Sequence, residues 1–285
     1  MAINLVTRFQ PYVDEAFTAG SKASMLTNHD FNWSGAHTIK IHKVNTVPMS
    51  DYDRAGTGEN ASRYGVLGKV ENTIEEMTLT KDRSFTFVID TLDNDETDGV
   101  LSAAAALGRQ QREVIIPEVD TYVYSVMTAN AGTKVTSVTL TSNNLYDEII
   151  QATETMDNND VPDTGRILTV TPATYRLLKK CPDLDIDCDI TAEQKAKGVV
   201  GMIDGMDVVK LPAKRLPAKF GFMIAHPVAT VAPTKLEEYR THDNPPGISG
   251  KLVEGRIVYD AFVLDNKKMA IYYEENKPAE QSSRL

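Results

Sequence analysis

Apolar residues recur at helical spacing from about Asp98 to Ala131. Leu101, Ala104, Ala105, Ile115, Val119, Tyr122 and Val126 fall on one stripe of a rod, and the run Ala103–Ala106 strongly favours helix. About 30 residues rising about 1.5 Å each give a helix about 45 Å long, well beyond the ordinary globular helix. Pro117 sits in its middle. Its ring meets the carbonyl of Glu113 and its missing N–H removes one hydrogen bond, so the pattern predicts a kink or short break there. Two ordinary helices meeting at Ile116–Pro117 fit the same pattern. A rod of this length needs something extended to lie along, which favours an elongated protein or a building block over a compact enzyme.

Elsewhere the apolar period is two. His37–Val44 alternates through Ile39 and Ile41, and Ile74–Thr80 through Met77 and Leu79. Between them lie about 26 residues, Val47–Asn72, rich in Gly, Ser, Asp and Asn. A loop that long inside a compact domain usually has a task or is mobile. Two strands alone are marginal in water, so the predicted hairpin needs a neighbouring chain to lie on. Phe85, Phe87 and Ile89 mark a further strand. A helix is predicted over Leu145–Met156 with Asn143 or Asn144 as its cap. The strand RILTVT follows, then a helix opened by Thr171 and Pro172 and closed by Lys179 and Lys180. Asp204–Gly205 signals a hairpin, and FGFMIAHPVATVA reads as a strand. Ile257, Tyr259 and Phe262, then Met269, Ile271 and Tyr273, predict two strands joined by the turn Leu264–Lys268. At the start, Val6, Phe9, Val13 and Phe17 are spaced for a short amphipathic helix ended by Gly20. A polar segment carrying the single tryptophan, Trp33, comes next.

These patterns divide the chain into an arm (1–36), an extended hairpin (37–82), a segment dominated by the rod (83–142, rod 98–131), a mixed α/β insert (143–230) and a closing sheet region with a polar tail (231–285). The fold class is α+β. A hydrophobic content of 41% over 285 residues supplies a real core. No apolar run reaches the roughly 20 residues that span a bilayer, so no membrane partner is expected, and two cysteines make no disulfide scaffold. The net charge of −10 argues against a protein that grips nucleic acid through a basic field. Such a surface can still enclose DNA without holding its phosphates.

Motifs for chemistry fail one by one. Gly56-Thr57-Gly58-Glu59-Asn60-Ala61 resembles a dinucleotide fingerprint, but it follows no strand and opens no helix. Arg63 and Val70 stand where a phosphate loop around Gly68-Lys69 needs other residues. Asp183, Asp185 and Asp187 resemble a calcium loop, yet Cys188 and Gln194 replace its glycine and its closing acid. Cys181 and Cys188 lack companions for zinc. Gly247-Ile248-Ser249-Gly250 is one residue short of a nucleophile elbow. His29 and His242 are isolated. No catalytic, cofactor-binding or metal-binding residue is assigned.

The order of parts resembles the major capsid protein of tailed bacteriophages, with the Hong Kong 97-like fold. The resemblance rests on DRSFTFVIDTLDNDET running into the rod, REVIIPEVDTYVYS within it, then RILTVTPATYRLLKK, GMIDGMDVVKLPAKRLP and YDAFVLDNKKMAIYYEE. It implies an N-terminal arm, an extended loop, a spine helix, an axial domain at 143–230 and a peripheral domain completed by the C-terminal strands. It implies a structural role: copies of the chain forming hexamers and pentamers of an icosahedral head shell around double-stranded DNA, assembled in the host cytoplasm with a scaffolding protein and a portal. Since the chain begins almost at the arm, the scaffolding function is expected in a separate protein or in a removed segment. Arg54, Arg63, Tyr64 and Lys69 of the loop become the candidate inter-subunit contacts, and Pro117 the candidate spine kink. Some relatives join a loop lysine to an asparagine of a neighbour. Lys69 and Asn266 are the residues in question, but no motif identifies the glutamate base. A cellular encapsulin-like nanocompartment that packages enzymes is the alternative of the same fold, and a soluble α+β enzyme the alternative of another class.

Overall fold

A computed structural model describes residues 21–30, 38–44, 46–56, 63–65, 69, 72–92, 103–136, 139–182 and 198–277. The expected helix through Val6–Phe17, Trp33, the first turn of the rod, the acidic loop Asp183–Gln194 and the end of the tail lie outside the described residues. The chain divides into two compact units, Trp33–Leu79 and the remainder, Met1–Asn32 with Thr80–Leu285.

The smaller unit is built on a hairpin. β1 (Thr38–Val44) and β2 (Asn72–Thr78) run antiparallel, Thr38 opposite Thr78 and Val44 opposite Asn72. Directly opposed side chains brace the ribbon. The Thr38 and Thr78 hydroxyls lie 2.9 Å apart, and Lys40 pairs with Glu76 at 2.5 Å. That ion pair is exposed, which limits it to roughly 0.2–1 kcal/mol.

In the larger unit, β3 (Lys81–Asp90) leads toward the rod. The rod is α1 (Ala103–Gln110), a π turn (Gln111–Ile115) and α2 (Ile116–Ala129), with no break between them. The helix is therefore continuous through Pro117, and the two-helix alternative is not what forms. The Ile116 N–H reaches back five residues to the Gln111 carbonyl. Pro117, which has no N–H to offer, enters in the first turn of α2, where a missing donor is tolerated. Ile116 holds helical angles (φ −58°, ψ −48°) that a following proline disfavours, and tight burial keeps it there.

The buried face of the rod differs from the predicted stripe. Ala103, Leu107, Gln111, Ile115, Val119, Val123, Met127 and Ala131 are buried, every fourth residue, while Ala104 is exposed and Tyr122 and Val126 are half-buried. Four residues turn an α-helix by about 400°, so the line slips about 40° per turn and winds around the rod. The wider π turn absorbs part of that slip. Different neighbours thus cover the two ends.

After β4 (Thr133–Val135) comes α3 (Leu145–Asp157). Asn144 occupies its cap position, but its side chain turns backward. Its Oδ1 accepts from the N–H and hydroxyl of Thr141 and its amide donates to the Thr139 carbonyl. β5 (Ile167–Val170) precedes α4 (Pro172–Leu178), where the Thr171 hydroxyl accepts from the Thr174 N–H at 3.0 Å, as the Thr-Pro pair predicts. β6 (Val199–Ile203) and β7 (Met206–Lys210) close through Asp204 and Gly205, both at positive φ. β8 (Phe220–Ala225), β9 (Thr230–Val231), β10 (Thr234–Asp243), β11 (Gly250–Tyr259), β12 (Phe262–Val263) and β13 (Ile271–Glu275) complete the chain.

Two larger sheets organise these strands. One is mixed, in the order β4-β13-β8-β5-β7-β6. Every residue of β5 and β8 is buried, the signature of strands covered on both faces. The other is antiparallel, β10-β11-β3, with Phe85, Phe87, Tyr239, Val253 and Ile257 turned to the core. Here two expectations fail. β10 was not foreseen, and β11 and β13 do not form a hairpin. β11 joins β3 and β10, whereas β13 joins β4 and β8. The connecting segment is a 3₁₀ turn, Asp265–Ala270, which redirects the chain between sheets.

Two buried carboxylates tie these layers together. Asp260 accepts from the Thr80 N–H and hydroxyl (2.7 and 2.8 Å), from the Tyr122 hydroxyl (2.7 Å) and from the Ala261 N–H (2.8 Å). Glu274, on β13, is fully buried; the Tyr272 hydroxyl reaches its Oε2 (3.3 Å), and among the described residues its Oε1 has no partner. Burial, and then the like charge of Glu148 on α3, push its pKa up to about 7. An acid raised in the folded state stabilises fully below its unfolded pKa near 4.5, and that contribution is lost as pH rises through about 7. The melting temperature is therefore expected to fall between pH 5 and pH 8, and Glu274→Gln to flatten that slope in thermal scans.

Candidate interaction surface

The described residues of the loop between β1 and β2 make contacts with one another. Asp53 Oδ1 accepts the N–H groups of Ala55 (2.9 Å) and Gly56 (3.0 Å), a turn typical of aspartate. The Asp53 N–H donates to the Arg63 carbonyl at 3.0 Å, which joins the two limbs. Beside it the Tyr52 and Tyr64 rings meet edge to face, 5.1 Å apart. At the next step Gly65, at φ +85°, lies against Ser50, where a Cβ would come within 2.6 Å of the serine side chain. Ser50–Gly65, Tyr52–Tyr64 and Asp53–Arg63 thus form a short antiparallel clasp.

The clasp leaves large apolar surface in water. Met49 is fully exposed, Tyr64 80% and Tyr52 51% exposed. Covering one such side chain completely contributes about 1.5–3 kcal/mol. Arg54 and Arg63 are exposed beside them. Of the four predicted contact residues, the clasp unites Arg63 and Tyr64. Arg54 sits on the Asp53 turn, and Lys69 lies beyond the clasp, exposed. Asn266 belongs to the larger unit, on the turn Asp265–Ala270. Met49 and Tyr52, not singled out in the sequence, belong to the same surface. Their signal was an apolar residue inside an otherwise polar loop.

The outer face of the β10-β11-β3 sheet has a different character. Arg256 grips both oxygens of Asp82 (2.9 and 2.6 Å), Arg240 bonds Glu238, and His242 lies 3.4 Å from Glu254. The hydrogen bond from Arg256 holds the Asp82 carboxyl below its ordinary range and Asp82 raises Arg256 in return. A shallow concavity of about 530 Å³ lies over Ser84, Thr86, Glu238, Arg240, Glu254 and Arg256. Its charges neutralise one another, an arrangement that suits recognition and solubility more than chemistry. Among the described residues no three His, Cys, Asp or Glu side chains cluster as metal ligands, and no helix is long and apolar enough to cross a membrane. Cys181 is buried with its thiol 3.6 Å from the Leu177 carbonyl, and Cys188 lies outside the described residues.

Comparison with known proteins agrees with this architecture. A family model described as phage capsid protein matches residues 73–273, well over half of the chain. No curated protein sequence matches. Among solved structures, a chain of Mycobacterium phage Che8 superposes with a TM-score of 0.69 at 18% identity over 90% of both chains. A chain from the mature capsid of bacteriophage PhiM1 gives 0.62 at 17% identity, over 84% of this chain and 82% of that one. The virus-like particle of Pyrococcus furiosus gives 0.55 at 8% identity, over 96% and 100%. At such identities these likenesses establish the fold, Hong Kong 97-like.

The clasp makes a local prediction. Gly65→Ala places a side chain in the left-handed region, at a cost of about 1–2 kcal/mol, and against Ser50. Exchange of the Asp53 amide is expected to accelerate about tenfold or more. Tyr64→Ser is expected to leave the unfolding free energy of the isolated subunit within about 0.5 kcal/mol of wild type in denaturant titrations, as for other surface changes.

Proposed function

The chain belongs to the family of phage capsid proteins, and from that premise we propose that it tiles an icosahedral head as hexamers and pentamers enclosing double-stranded DNA. It is a structural, shell-forming protein of the virion capsid and not an enzyme. The observation that carries the finer reading is the clasp. A loop whose limbs clasp each other, yet which presents Met49, Tyr52 and Tyr64 to water, has an apolar surface ready for a second copy of the chain. Arg54, Arg63 and Lys69 flank that surface and give the contact an electrostatic rim. Many such contacts, repeated around a shell, convert individually modest affinities into a stable particle.

In this reading residues 143–230 are the axial domain that meets its copies around a local symmetry axis, with β13, from the C-terminal strands of the peripheral domain, pairing onto its β8. The rod and the β10-β11-β3 sheet form the peripheral domain. The acidic balance keeps the shell from gripping DNA. Assembly in the host cytoplasm, a scaffolding protein and a portal complete the proposal. A π turn is a common site of helix bending, and Pro117 stands beside one, so the spine is proposed to bend there.

Electron micrographs of the expressed chain are expected to show closed shells, and deletion of residues 50–70 to leave a folded, soluble subunit that no longer forms stable ones. Normal particle yield from that deletion would contradict the role given to the loop. Particles purified from infected cells are expected to protect DNA from nuclease. Enclosed enzyme without protected DNA favours the nanocompartment alternative. Pro117→Ala is expected to change particle diameter or curvature, and unchanged particles would remove the mechanical role of that proline.

A further inference from the structure

Charge is sorted by position within residues 143–230. From 208 to 219, and from 166 to 182, the chain carries bases and no acid. The fold gathers these bases into one surface. Lys179 and Lys210 lie over the Tyr175 ring, 5.2 and 5.4 Å from its centre. Lys22 Nζ reaches the Lys210 carbonyl at 3.3 Å. Burial, then Lys210 and Arg215, hold the Lys22 ammonium below its ordinary pKa. Arg215, on the 3₁₀ turn Ala213–Arg215, is already committed, since it donates to the fully buried Asp120 of α2 at 2.8 Å. Arg176, Lys179, Lys180 and Lys214 are exposed. Among the described residues none of these four, nor Lys210, pairs with a carboxylate. On the outer face of the β10-β11-β3 sheet, by contrast, Arg256 and Arg240 meet acids of the same subunit.

The acids lie elsewhere. From 143 to 165 there are six acids and no base. Glu154, near the end of α3, and Asp157, Asp160 and Asp163, on the turn that enters β5, are exposed. The buried Arg166 pairs with Asp157 (2.7 Å) and Asp163 (3.3 Å) and donates to the carbonyls of Val161 and Pro162, which fixes the shape of the turn. Lys210 stands opposite Val170, at the other end of β5. That strand is four residues long, so about 13 Å of sheet separates the acidic turn from the lysines.

We infer that the basic surface around Tyr175 receives the acidic turn Asp157–Asp163 of a second copy of the chain. The inference rests on the shell reading and adds to it the faces that meet inside a hexamer or pentamer. The two surfaces differ and sit on one body, so the contact is heterologous. Each copy offers its turn to one neighbour and its lysines to the other, and such a series closes as a ring. Like faces repel, which excludes the reversed, face-to-face pairing. Arg166 holds the turn in shape before contact, so docking has little to order. The attraction is screened by salt, so added salt slows assembly.

Charge-reversed chains test the contact in assembly assays run beside the wild-type chain. Lys179→Glu with Lys180→Glu, and Glu154→Lys with Asp160→Lys, are each expected to raise the concentration needed for shells about tenfold or more. The chain carrying all four substitutions regains the match and is expected to assemble within about threefold of wild type. Asp160 has φ 56°, a conformation that asparagine also accepts. Glu154→Gln with Asp160→Asn therefore removes charge without disturbing the turn, and is expected to weaken assembly in the same direction. Either reversed pair assembling at the wild-type concentration overturns the contact and leaves the shell reading standing. So does a quadruple variant no better than the two pairs, which gives the lysines another polyanion, nucleic acid or the acids at 183–193 of the same chain. A wild-type chain that forms no shell overturns the shell reading, and this contact with it.

Discussion

An unbroken run of helical backbone from Ala103 to Ala129 is the constraint on which the larger unit depends. β3, β11 and the turn Asp265–Ala270 are each joined to that rod or its end by a hydrogen bond. Arg83 on β3 and Tyr259 on β11 both reach Glu118. The turn Asp265–Ala270 accepts the Gly132 N–H just beyond the rod's end. A proline in the middle of such an element ordinarily removes about 3 kcal/mol or more. The π turn avoids that loss by placing Pro117 at the start of a new α segment, while Ile116 and Val119 keep the face sealed. The same device lets the buried line wind, so one helix serves as a wall for two sheets.

The two sheets divide the work. The six-stranded sheet is covered on both faces at its central strands β5 and β8. The three-stranded sheet buries one face and turns a neutralised mosaic of charge outward. The hairpin unit is the opposite case. Its strands pair well, yet its loop keeps Met49 and Tyr64 in solvent. The contact proposed with a second copy of the chain would cover them.

Local signals in the sequence were legible and distant ones were not. Thr171-Pro172 and Asp204-Gly205 act through bonds made within a few residues, and both formed as expected. β10 is hidden because Glu238, Arg240 and His242 interrupt its apolar pattern, and only pairing with β11 makes it a strand. The alternation of β11 and β13 was clear, but no local feature said that they belong to different sheets. Asn144 was placed correctly at a helix start, although its side chain serves the preceding turn. The π turn left no trace in a search for a period of 3.6, which is why the predicted stripe drifted off the buried one. Of the interaction surface, Arg63 and Tyr64 were visible as loop residues. Asp120, Asp260 and Glu274 were passed over because acids at apolar positions count as interruptions of a pattern until their partners are known.

Asp260 carries one more consequence. Thr80 is the first residue of the larger unit after the hairpin, and both its N–H and its hydroxyl end on that carboxylate, which the Tyr122 hydroxyl also holds. Tension applied along β2 by anything grasping the ribbon arrives first at this junction. The backbone carries it on into β3, while the Asp260 carboxylate ties the same point to the central helix through the Tyr122 hydroxyl.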